Sequence, residues 1–355
     1  MIGLSKIDNY INSLLDHLQS IQNNDGSFDT MYLQPYYNPD KGWMKFPANA
    51  PFDAACVLIP LLKIQSSQSK LILDRGKEFI LNNSLEGKLW SFPKLSDEYL
   101  LFYDTDSTAL CSFVLEQLQH PVSNKKFIDQ FIDKGDYRLF IVPEKYPKQL
   151  SVLTFAKLLI HSQKVKKARD YQSDLMRLND HEFSVTCNNL LYIGESDENQ
   201  QVWKSLKENF ATMQVSRMYY PTLFQCFYCY ARLCAYGSRK EMIPELSVLN
   251  KYTAELCSEL AHENQPLYRV LLANAILFID LQGHEELMEN CMKDIDVQNY
   301  REALPFYSCN IHTDQQPGTN LPNTYFGSPA ITCSLYIEFL NLYRKRFYGS
   351  YYGQD

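Results

Sequence analysis

Helical segments with two different hydrophobic patterns alternate along the chain. The first carries apolar residues at helical spacing from Ile7 to Ile21, with Asp and Asn residues on the opposite face. The next begins at Asp53 and has almost no polar face, and the same pair recurs as Leu71–Leu81 followed by Asp104–Leu118. A helix that is apolar on every side has to be enclosed on every side. This alternation constrains the fold more than any other feature of the sequence.

Weaker copies of the pair follow, with a period of about 35 to 60 residues that is typical of helical-hairpin arrays. No segment shows sustained period-two alternation, so no sheet is expected, and the Pro/Gly/Tyr-rich stretch before Pro51 is interpreted as a loop. Gly26, in the turn that opens this stretch, is expected to take a positive φ. The half-polar members of the weaker pairs are predicted at Phe127–Lys134, Val165–Leu178, Val202–Phe210, Leu246–Leu260 and Glu285–Cys291. The apolar members are predicted at Leu150–Ile160, Phe183–Tyr192, Thr222–Tyr236, Leu267–Leu281 and Ala330–Leu342.

A closed ring is the arrangement that encloses the apolar helices. An open solenoid needs capped, polar ends and leaves a face of its helices in solvent. In a ring, the apolar helices form an inner barrel and the half-polar helices surround it. The sequence therefore predicts an all-α protein, an α/α toroid that closes about six or seven helical hairpins into inner and outer helix rings. Residues 1–355 are expected to form this toroid as a single domain.

Composition and charge exclude several classes of protein. The net charge of -7 and the absence of basic runs argue against a nucleic-acid partner. The longest apolar run, Val270–Ile279, is too short to cross a bilayer, so no transmembrane segment is expected. The first residues lack the basic-then-apolar order of a signal peptide, which favours a cytoplasmic protein whose ten cysteines are reduced. Cys226 and Cys229 are interpreted as core residues rather than as a metal or redox motif.

The inner helices of such a ring all run in the same direction, so their N-terminal ends meet at one rim. Aromatic and acidic residues dominate at these ends of the predicted helices, and the positive ends of the helix dipoles point there. A site of this composition suits a hydrophobic or cationic guest. The candidate site residues are Asp53, Tyr103, Asp104, Asp106, Ser107, His181, Tyr219, Tyr220, Tyr325 and Phe326.

Most of these residues also have a purely structural interpretation. Asp104 and Asp106 precede a buried helix and match an N-cap with an additional acidic residue in the first turn. His181 fits a surface cap or a core histidine as well as one half of an acid/base pair. The pairs Tyr219–Tyr220 and Tyr325–Phe326 fit packing between helices as well as the lining of a cavity.

Four segments resemble motifs of the terpenoid cyclase and prenyltransferase family, whose members are α/α toroids. Gln22–Phe28 resembles the Q-x-x-D-G-S-W motif, with Phe28 in place of Trp, and Gly87–Phe92 resembles a decayed second copy. Asp104–Ala109 resembles the D-x-D-D-T-A acid motif of class II cyclases, which include the squalene-hopene and diterpene cyclases. Tyr325–Thr332 resembles the G-S-x-A-L-T-T segment of the same repeats.

The resemblance implies a class II-type terpene cyclase, which protonates a linear isoprenoid and lets the resulting cation cyclise. Carried over to this chain, it makes Asp106 the general acid and Asp104 its neighbour, while the other candidate residues would bind the substrate. The acid has to remain protonated near neutral pH, which an apolar pocket and a second carboxylate favour. Ser107 replaces the fourth aspartate of the motif, and its hydroxyl is expected to hydrogen-bond the acid. No cofactor is implied, although a diphosphate substrate would call for Mg²⁺.

The length of the chain and its possible metal ligands define the alternatives. The chain is long enough for one barrel, whereas the class II cyclases that it resembles have a second helical domain. A homo-oligomer or a partner domain is therefore expected to close the cavity. A non-catalytic isoprenoid- or protein-binding toroid is one alternative, and a prenyltransferase-like subunit is another. The latter would bind zinc through Asp, Cys and His, but Cys309 and His312 form only a two-ligand fragment, so no metal site is expected.

Overall fold

The computed structural model describes most of the chain in helices. The described residues are 2–35, 43–47, 49–92, 102–142, 150–169, 181–217, 220, 222–237, 239–262, 265–298, 300, 307–309 and 324–349. Their α-helices are α1 (Leu4–Ile21), α2 (Pro51–Leu61), α3 (Ser67–Asn82), α4 (Thr105–Gln117), α5 (Lys125–Ile128), α6 (Val152–Arg169), α7 (Phe183–Ile193), α8 (Gln200–Ala211), α9 (Leu223–Tyr236), α10 (Leu246–His262), α11 (Pro266–Phe278), α12 (Glu285–Asp296) and α13 (Pro329–Tyr348). Their strands are β1 (Met31–Pro35), β2 (Trp43–Pro47), β3 (Ile132–Asp133), β4 (Asp136–Tyr137), β5 (Tyr307–Cys309) and β6 (Thr324–Gly327).

Six of these helices, α2, α4, α7, α9, α11 and α13, form a closed ring within the described residues. Each packs against the next one, and α13 packs against α2, which closes the ring. All positions of α4 from Thr105 to Leu115 are buried, and α7, α9 and α11 are buried nearly as completely. Helices without a polar face need neighbours on all sides, and the ring with its outer layer supplies them. The predicted α/α toroid is confirmed.

The helices outside the ring each bury a single stripe. In α1 the stripe runs from Ile7 to Leu18, and the helix packs against α13 and α3. Helix α8 packs on α7, while α10 and α12 both pack on α11. The predicted division between half-polar outer helices and fully apolar inner helices is confirmed for these segments.

The turn after α1 ties the first two outer helices together. The side-chain amide of Gln22 donates to the main-chain carbonyls of Gly26 and of Ile72 on α3, each at 3.1 Å. Gly26 has a φ of +88°, as predicted, and a Cβ at this position would lie 2.1 Å from the carbonyl oxygen of Arg75 on α3. Only glycine fits both the conformation and the close approach of the two helices.

Helix α6 shows that the predicted inner helix at Leu150–Ile160 was wrong. A single helix covers this segment and the first part of the predicted outer helix Val165–Leu178. Val152 and Leu153 are 74% and 61% exposed, which is incompatible with a place in the inner ring. The buried positions of α6 form a narrow stripe of Thr154, Leu158, Ser162 and Val165. The segment is apolar in composition but amphipathic in its burial, so composition alone misassigned it.

The outer helix predicted at Phe127–Lys134 was also wrong. The structure has the four-residue helix α5, one 3₁₀ turn at Asp129–Phe131 and the short hairpin β3–β4. Lys134 and Gly135 connect the two strands with φ values of +52° and +86°. A glycine in the left-handed region turns the chain back at a point where a helix would have had to continue.

A small sheet contradicts the expectation that the chain has none. Strands β2, β1, β6 and β5 lie side by side in that order, and all pairs are antiparallel. Strand β1 lies in the stretch that was interpreted as a loop, and Met31 pairs with Gly327. Strands of three to five residues are too short to show a period-two pattern, and the β1–β6 pair joins segments far apart in the sequence.

Aromatic rings meet across the ring near the C-terminal ends of the inner helices. The ring of Tyr236 on α9 lies 5.9 Å from that of Phe113 on α4 and 5.9 Å from that of Phe278 on α11. Helices α4 and α9 are separated by α7 in the ring, so the contact between Phe113 and Tyr236 crosses the interior. These aromatic contacts lie at the end of the barrel opposite to the N-terminal rim.

None of the described helices has both the length and the apolar composition needed to cross a membrane.

Candidate functional site

The segment that resembles the second copy of the Q-x-x-D-G-S-W motif holds the start of α4 in place. Trp90 is fully buried, and its indole N–H donates to the carbonyl of Ile80 at 2.7 Å. The main-chain N–H of Trp90 donates to the Thr108 hydroxyl at 3.1 Å. The carbonyl of Trp90 accepts from the main-chain N–H of Asp104 at 3.1 Å. The position of the acidic pair is therefore fixed by bonds that reach back to α3.

Asp104 is the N-cap of α4. One carboxylate oxygen accepts from the main-chain N–H of Ser107 at 2.6 Å, and the other accepts from the Ser107 hydroxyl at 2.9 Å. Burial raises the pKa of Asp104 to about 8, the bonds from Ser107 lower it, and the charge of Asp106 raises it further. The expected bond from Ser107 to Asp106 is absent, because the Ser107 hydroxyl is used by the cap. The Asp104 side chain therefore stabilises the first turn of its own helix.

Asp106 reaches neighbouring elements instead. Its Oδ1 accepts from the side-chain amide of Asn188 on α7 at 2.8 Å, and its Oδ2 accepts from the Tyr220 hydroxyl at 2.6 Å. Tyr220 precedes α9, which is not a neighbour of α4 in the ring, so the Asp106 side chain lies on the interior side. Burial raises the pKa of Asp106 to about 6, while the bonds from Tyr220 and Asn188 and the charge of Arg232 lower it.

Two residues that the sequence analysis did not select, Asn188 and Arg232, complete the surroundings of Asp106. The guanidinium of Arg232 on α9 donates to the side-chain carbonyl of Asn188 at 2.7 Å. It also lies over the ring of Tyr228, with 5.0 Å between the guanidinium carbon and the ring centroid. The candidate site was expected to be aromatic and acidic, but it contains this buried cation. A lone arginine in the otherwise apolar segment Thr222–Tyr236 was the signal that could have revealed it.

Glu338 on α13 is a second buried carboxylate. It lies at the far end of a polar chain, the series of contacts that runs from Asp106 through Asn188, Arg232 and Tyr228. Its Oε2 accepts from the Tyr228 hydroxyl at 2.8 Å and from the side-chain amide of Asn274 on α11 at 3.1 Å. Burial raises the pKa of Glu338 to about 7, and the charge of Arg232 and the bond from Tyr228 lower it. Since α9 and α13 are separated by α11, the bond between Tyr228 and Glu338 crosses the ring interior.

Asp53, in the first turn of α2, is a third buried carboxylate of the inner helices. Neither of its oxygens has a hydrogen-bond partner of normal geometry among the described residues. Burial raises the pKa of Asp53 to about 7, and the nearby Thr30 hydroxyl lowers it only in part. A buried carboxyl without donors favours its neutral form.

The remaining candidates lie near the same rim but do not all meet. The main-chain N–H of Tyr220 donates to the buried carboxylate of Glu182 at 2.8 Å, which fixes the segment that carries the Tyr220 hydroxyl. His181 lies 3.4 Å from Asp133 of the β3–β4 hairpin, measured between Nε2 and Oδ2. The ring of Tyr103 lies 4.9 Å from that of His161 on α6. Tyr219 and the side chains of Tyr325 and Phe326 lie outside what the structure describes.

The cysteines of α9 pack as core residues. Cys226 and Cys229 are both buried, in agreement with their interpretation from the sequence. Within the described ranges, no group of three or more His, Cys, Asp and Glu side chains is arranged to hold a metal ion. Cys309 lies in β5, and His312 falls outside the described residues.

Comparison with known proteins adds evidence on the fold. No family model and no curated protein matches the sequence. Solved structures do match, among them a protein from Actinoplanes with a TM-score of 0.65 and 10% identity, over 95% of this chain and 99% of that chain. Type II terpene cyclase MstE from Scytonema also matches, in two complexes of aspartate variants, each at 11% identity. The complex with the product merosterolic acid A has a TM-score of 0.60 and covers 95% of this chain and 96% of its own. The complex with the substrate geranylgeranyl dihydroxybenzoate has a TM-score of 0.58 and covers 96% and 97%.

This chain has a terpene cyclase-like fold. The similarity covers nearly the whole of each MstE chain as well as of this chain. That residues 1–355 form a single toroid domain stays a prediction. That a partner or a second copy closes the cavity stays a prediction.

Proposed function

We propose that the protein is a class II-type terpene cyclase, in which Asp106 starts the cyclisation of a linear isoprenoid by proton transfer. The observation that carries the proposal is the position of Asp106, a buried carboxyl that accepts from Asn188 on the adjacent inner helix α7 and from Tyr220 in the segment before α9, which is not adjacent to α4. Functional carboxylates are found where burial perturbs their pKa within a concave site. The fold that this chain shares with MstE makes the interior of the ring the natural place for the substrate.

The state of the acidic pair fits an acid that works near neutral pH. With pKa values of about 6 for Asp106 and about 8 for Asp104, the proton that the pair holds at pH 7 lies mainly on Asp104, and Asp106 is protonated in about a tenth of the molecules. A hydrocarbon bound against Asp106 would displace any remaining water and disfavour the ionised form further. Substrate binding thus moves the pKa of Asp106 towards the operating pH, where a general acid is most effective.

The proton transfer itself needs little rearrangement. The Asp106 O–H bond breaks, the π electrons of a terminal alkene form the new C–H bond, and the neighbouring carbon becomes cationic. The next double bond then attacks that carbon, and each ring closure moves the cation along the chain. Asp106 is left as a carboxylate that accepts from Asn188 and Tyr220, so both donors act on the charge that develops in the transition state.

The nature of the substrate head group follows from the charges in the site. The guanidinium of Arg232 donates to Asn188 and is stacked on Tyr228, while its buried Nε has no hydrogen-bond partner among the described residues, so this one cation has little donor capacity left for a charged head group. A diphosphate would need further cations or Mg²⁺. We therefore favour a prenylated substrate that is either neutral or has its charged end outside the site. The substrate of MstE, geranylgeranyl dihydroxybenzoate, is a suitable first choice.

The test is a product assay with matched variants. Purified protein is incubated with geranylgeranyl dihydroxybenzoate and with farnesyl, geranylgeranyl and longer prenyl diphosphates, with and without Mg²⁺, and the products are identified by mass spectrometry. We expect a cyclic product from the wild type and a loss of about 100-fold or more in Asp106→Asn, the size expected when a general acid is removed. Asp104→Asn keeps a cap residue at the same helix end and should keep cyclisation at a reduced rate. Absence of cyclic product from every substrate, or undiminished turnover in Asp106→Asn, would contradict the proposal.

A second candidate function is a non-catalytic isoprenoid- or protein-binding toroid. It is favoured by the fact that both oxygens of Asp106 already have partners, as in a structural carboxylate. In that case Asp106→Asn would lower the stability of the protein, and the wild type would bind a prenyl chain without converting it. Binding measured by intrinsic fluorescence, together with unchanged substrate in the product assay, would identify this function.

A further inference from the structure

A cyclisation that begins with a proton has to end by losing one or by capturing water. If a base stood next to the acid, it would remove a proton from the first cation and return an alkene before any ring had closed. The terminating base must therefore lie away from Asp106, along the path that the cation takes. It must also be anionic when the cation reaches it, and water has to be kept away from it.

Most buried carboxylates of the described residues are committed elsewhere. Asp104 caps α4, and Glu182 accepts from the main-chain N–H of Tyr220. Asp294 pairs with Arg269 and accepts from the Tyr336 hydroxyl. Asp53 has no hydrogen bond of normal geometry, but it lies in the first turn of α2, at the same rim as Asp106 in the first turn of the adjacent helix α4, and so does not lie away from the acid. Glu338 is the remaining one within the described ranges that belongs to an inner helix and is bonded across the ring interior.

The hydrogen bonds of Glu338 leave one oxygen available. Oε2 is held by the Tyr228 hydroxyl and the Asn274 amide, whereas Oε1 is buried and has no hydrogen-bond partner among the described residues. Two donors on one oxygen orient the carboxylate without using the other. An unpaired buried carboxylate oxygen is costly, and it is of use where a proton has to be accepted.

The polar chain separates Glu338 from Asp106 and links their charges. Asp106 is bonded to Asn188, which is bonded to Arg232, and Arg232 lies over the ring of the tyrosine that donates to Glu338. The charge of Arg232 favours the ionised form of Glu338 and so lowers its pKa, whereas burial raises it. One cation thus stabilises a carboxylate at each end, and the two carboxylates are served by different inner helices.

We propose that Glu338 is the base that ends the reaction, an inference that rests on the proposed cyclase function. Oε1 takes a proton from the carbon next to the final cationic carbon, and the C–H electron pair becomes the π bond of the product. Asp106 has lost one proton and Glu338 has gained one, so substrate and product are isomers. Exchange with solvent after product release restores both groups.

The experiment compares product distributions in deuterium oxide. Wild type should give one main cyclic alkene carrying a single deuterium at the carbon protonated by Asp106. In Glu338→Gln, substrate consumption and deuterium incorporation should persist, while the share of the main alkene should fall about tenfold or more, in line with the loss of a general base. Hydroxylated products and alkenes with a shifted double bond should replace it. Glu338→Asp, which keeps a shorter carboxylate, should lie between wild type and Glu338→Gln.

The control is Asp294→Asn, which removes another buried carboxylate, on α12, and should leave the product distribution unchanged even if stability falls. An unchanged distribution in both Glu338 variants, or a folded Glu338→Gln that consumes no substrate, overturns the inference while the wild type still cyclises. A wild type that forms no cyclic product from any substrate overturns the proposed function instead. If Glu338→Gln does not fold, the Glu338→Asp comparison decides.

Discussion

Asp104 and Asp106 are two positions apart, yet their side chains face different parts of the molecule. Asp104 binds the first turn of its own helix, and Asp106 binds α7 and the segment before α9. A capping residue sits just outside the helix with extended backbone, whereas a residue in the first turn projects sideways towards the neighbouring helix. The same pattern of aspartates can therefore supply a cap and the proposed acid at once, because the cap uses Asp104 alone and leaves Asp106 for the second role.

The charge of Arg232 gives the first prediction, on the pH dependence of activity. In the proposed mechanism Asp106 is active as the protonated form, so kcat/KM should fall about tenfold per pH unit above its pKa of about 6. Arg232 lowers that pKa, so Arg232→Gln should raise it and move the falling limb to higher pH. Because Asp104 and Asp106 titrate together, the measured value belongs to the pair.

A pH–rate profile of both proteins with the best substrate checks this prediction. Arg344→Gln on the outer part of α13 is the matched control, since Arg344 pairs with Asp8 on α1 and should not affect the limb. A limb that stays in place in Arg232→Gln, or that moves to lower pH, would show that Arg232 does not act on the acid.

At the scale of the elements, the junction between α1 and α3 depends on Gly26. Gly26→Ala should lower the free energy of unfolding by about 3 kcal/mol or more, because the positive φ costs about 1–2 kcal/mol and the Cβ would also meet the carbonyl of Arg75. Urea unfolding followed by circular dichroism measures the change. Gly87 has a φ of +69°, but a Cβ at that position would meet no other atom, so Gly87→Ala isolates the conformational part. Equal losses in the two variants would mean that the contact with α3 contributes nothing.

At the scale of the whole molecule, burial shifts the pKa values of four carboxyls of the described residues in the same direction. Asp53, Asp104, Asp106 and Glu338 all have raised pKa values, between about 6 and about 8, and burial is the first cause in each. The folded state binds these protons more tightly than the unfolded chain does, so their contribution to stability is largest at low pH. It is lost as the pH rises from about 4 through the folded-state pKa values.

Asp53 provides the cleanest test of this linkage, because neither of its oxygens has a bond of normal geometry to lose. Asp53→Asn should be more stable relative to wild type at pH 8 than at pH 5. The difference between these two pH values should be about 2–3 kcal/mol, because a pKa raised from 3.8 to about 7 corresponds to about 4 kcal/mol in total and part of this is already lost at pH 5. Unfolding free energies of the two proteins are measured across this pH range. A stability difference that does not change with pH would show that the pKa of Asp53 is not raised in the folded state.

The sequence predicted the ring because a helix that is buried on all sides has no polar face, and this absence is visible within a single segment of the sequence. It could not predict the small sheet, since Met31 and Gly327 meet only through the closure of the whole ring. The site shows the same division. Asp106 stood out as part of a motif, but Asn188 and Arg232 are 44 residues apart, and Tyr228 and Glu338 are 110 residues apart. Each was visible as a polar residue within an apolar segment, and only the fold shows which of them are partners.

The closing contact between α13 and α2 also determines the order in which the chain can become folded during its synthesis. Helix α13 is the last inner helix to leave the ribosome, and it packs against α1, α2 and α11. Until it arrives, the apolar surfaces of α2 and α11 that face it have no cover, and contacts between distant parts of a chain form slowly. A nascent chain stalled before Pro329 should therefore need a chaperone, because the apolar faces of α2 and α11 stay exposed until the last helix is in place.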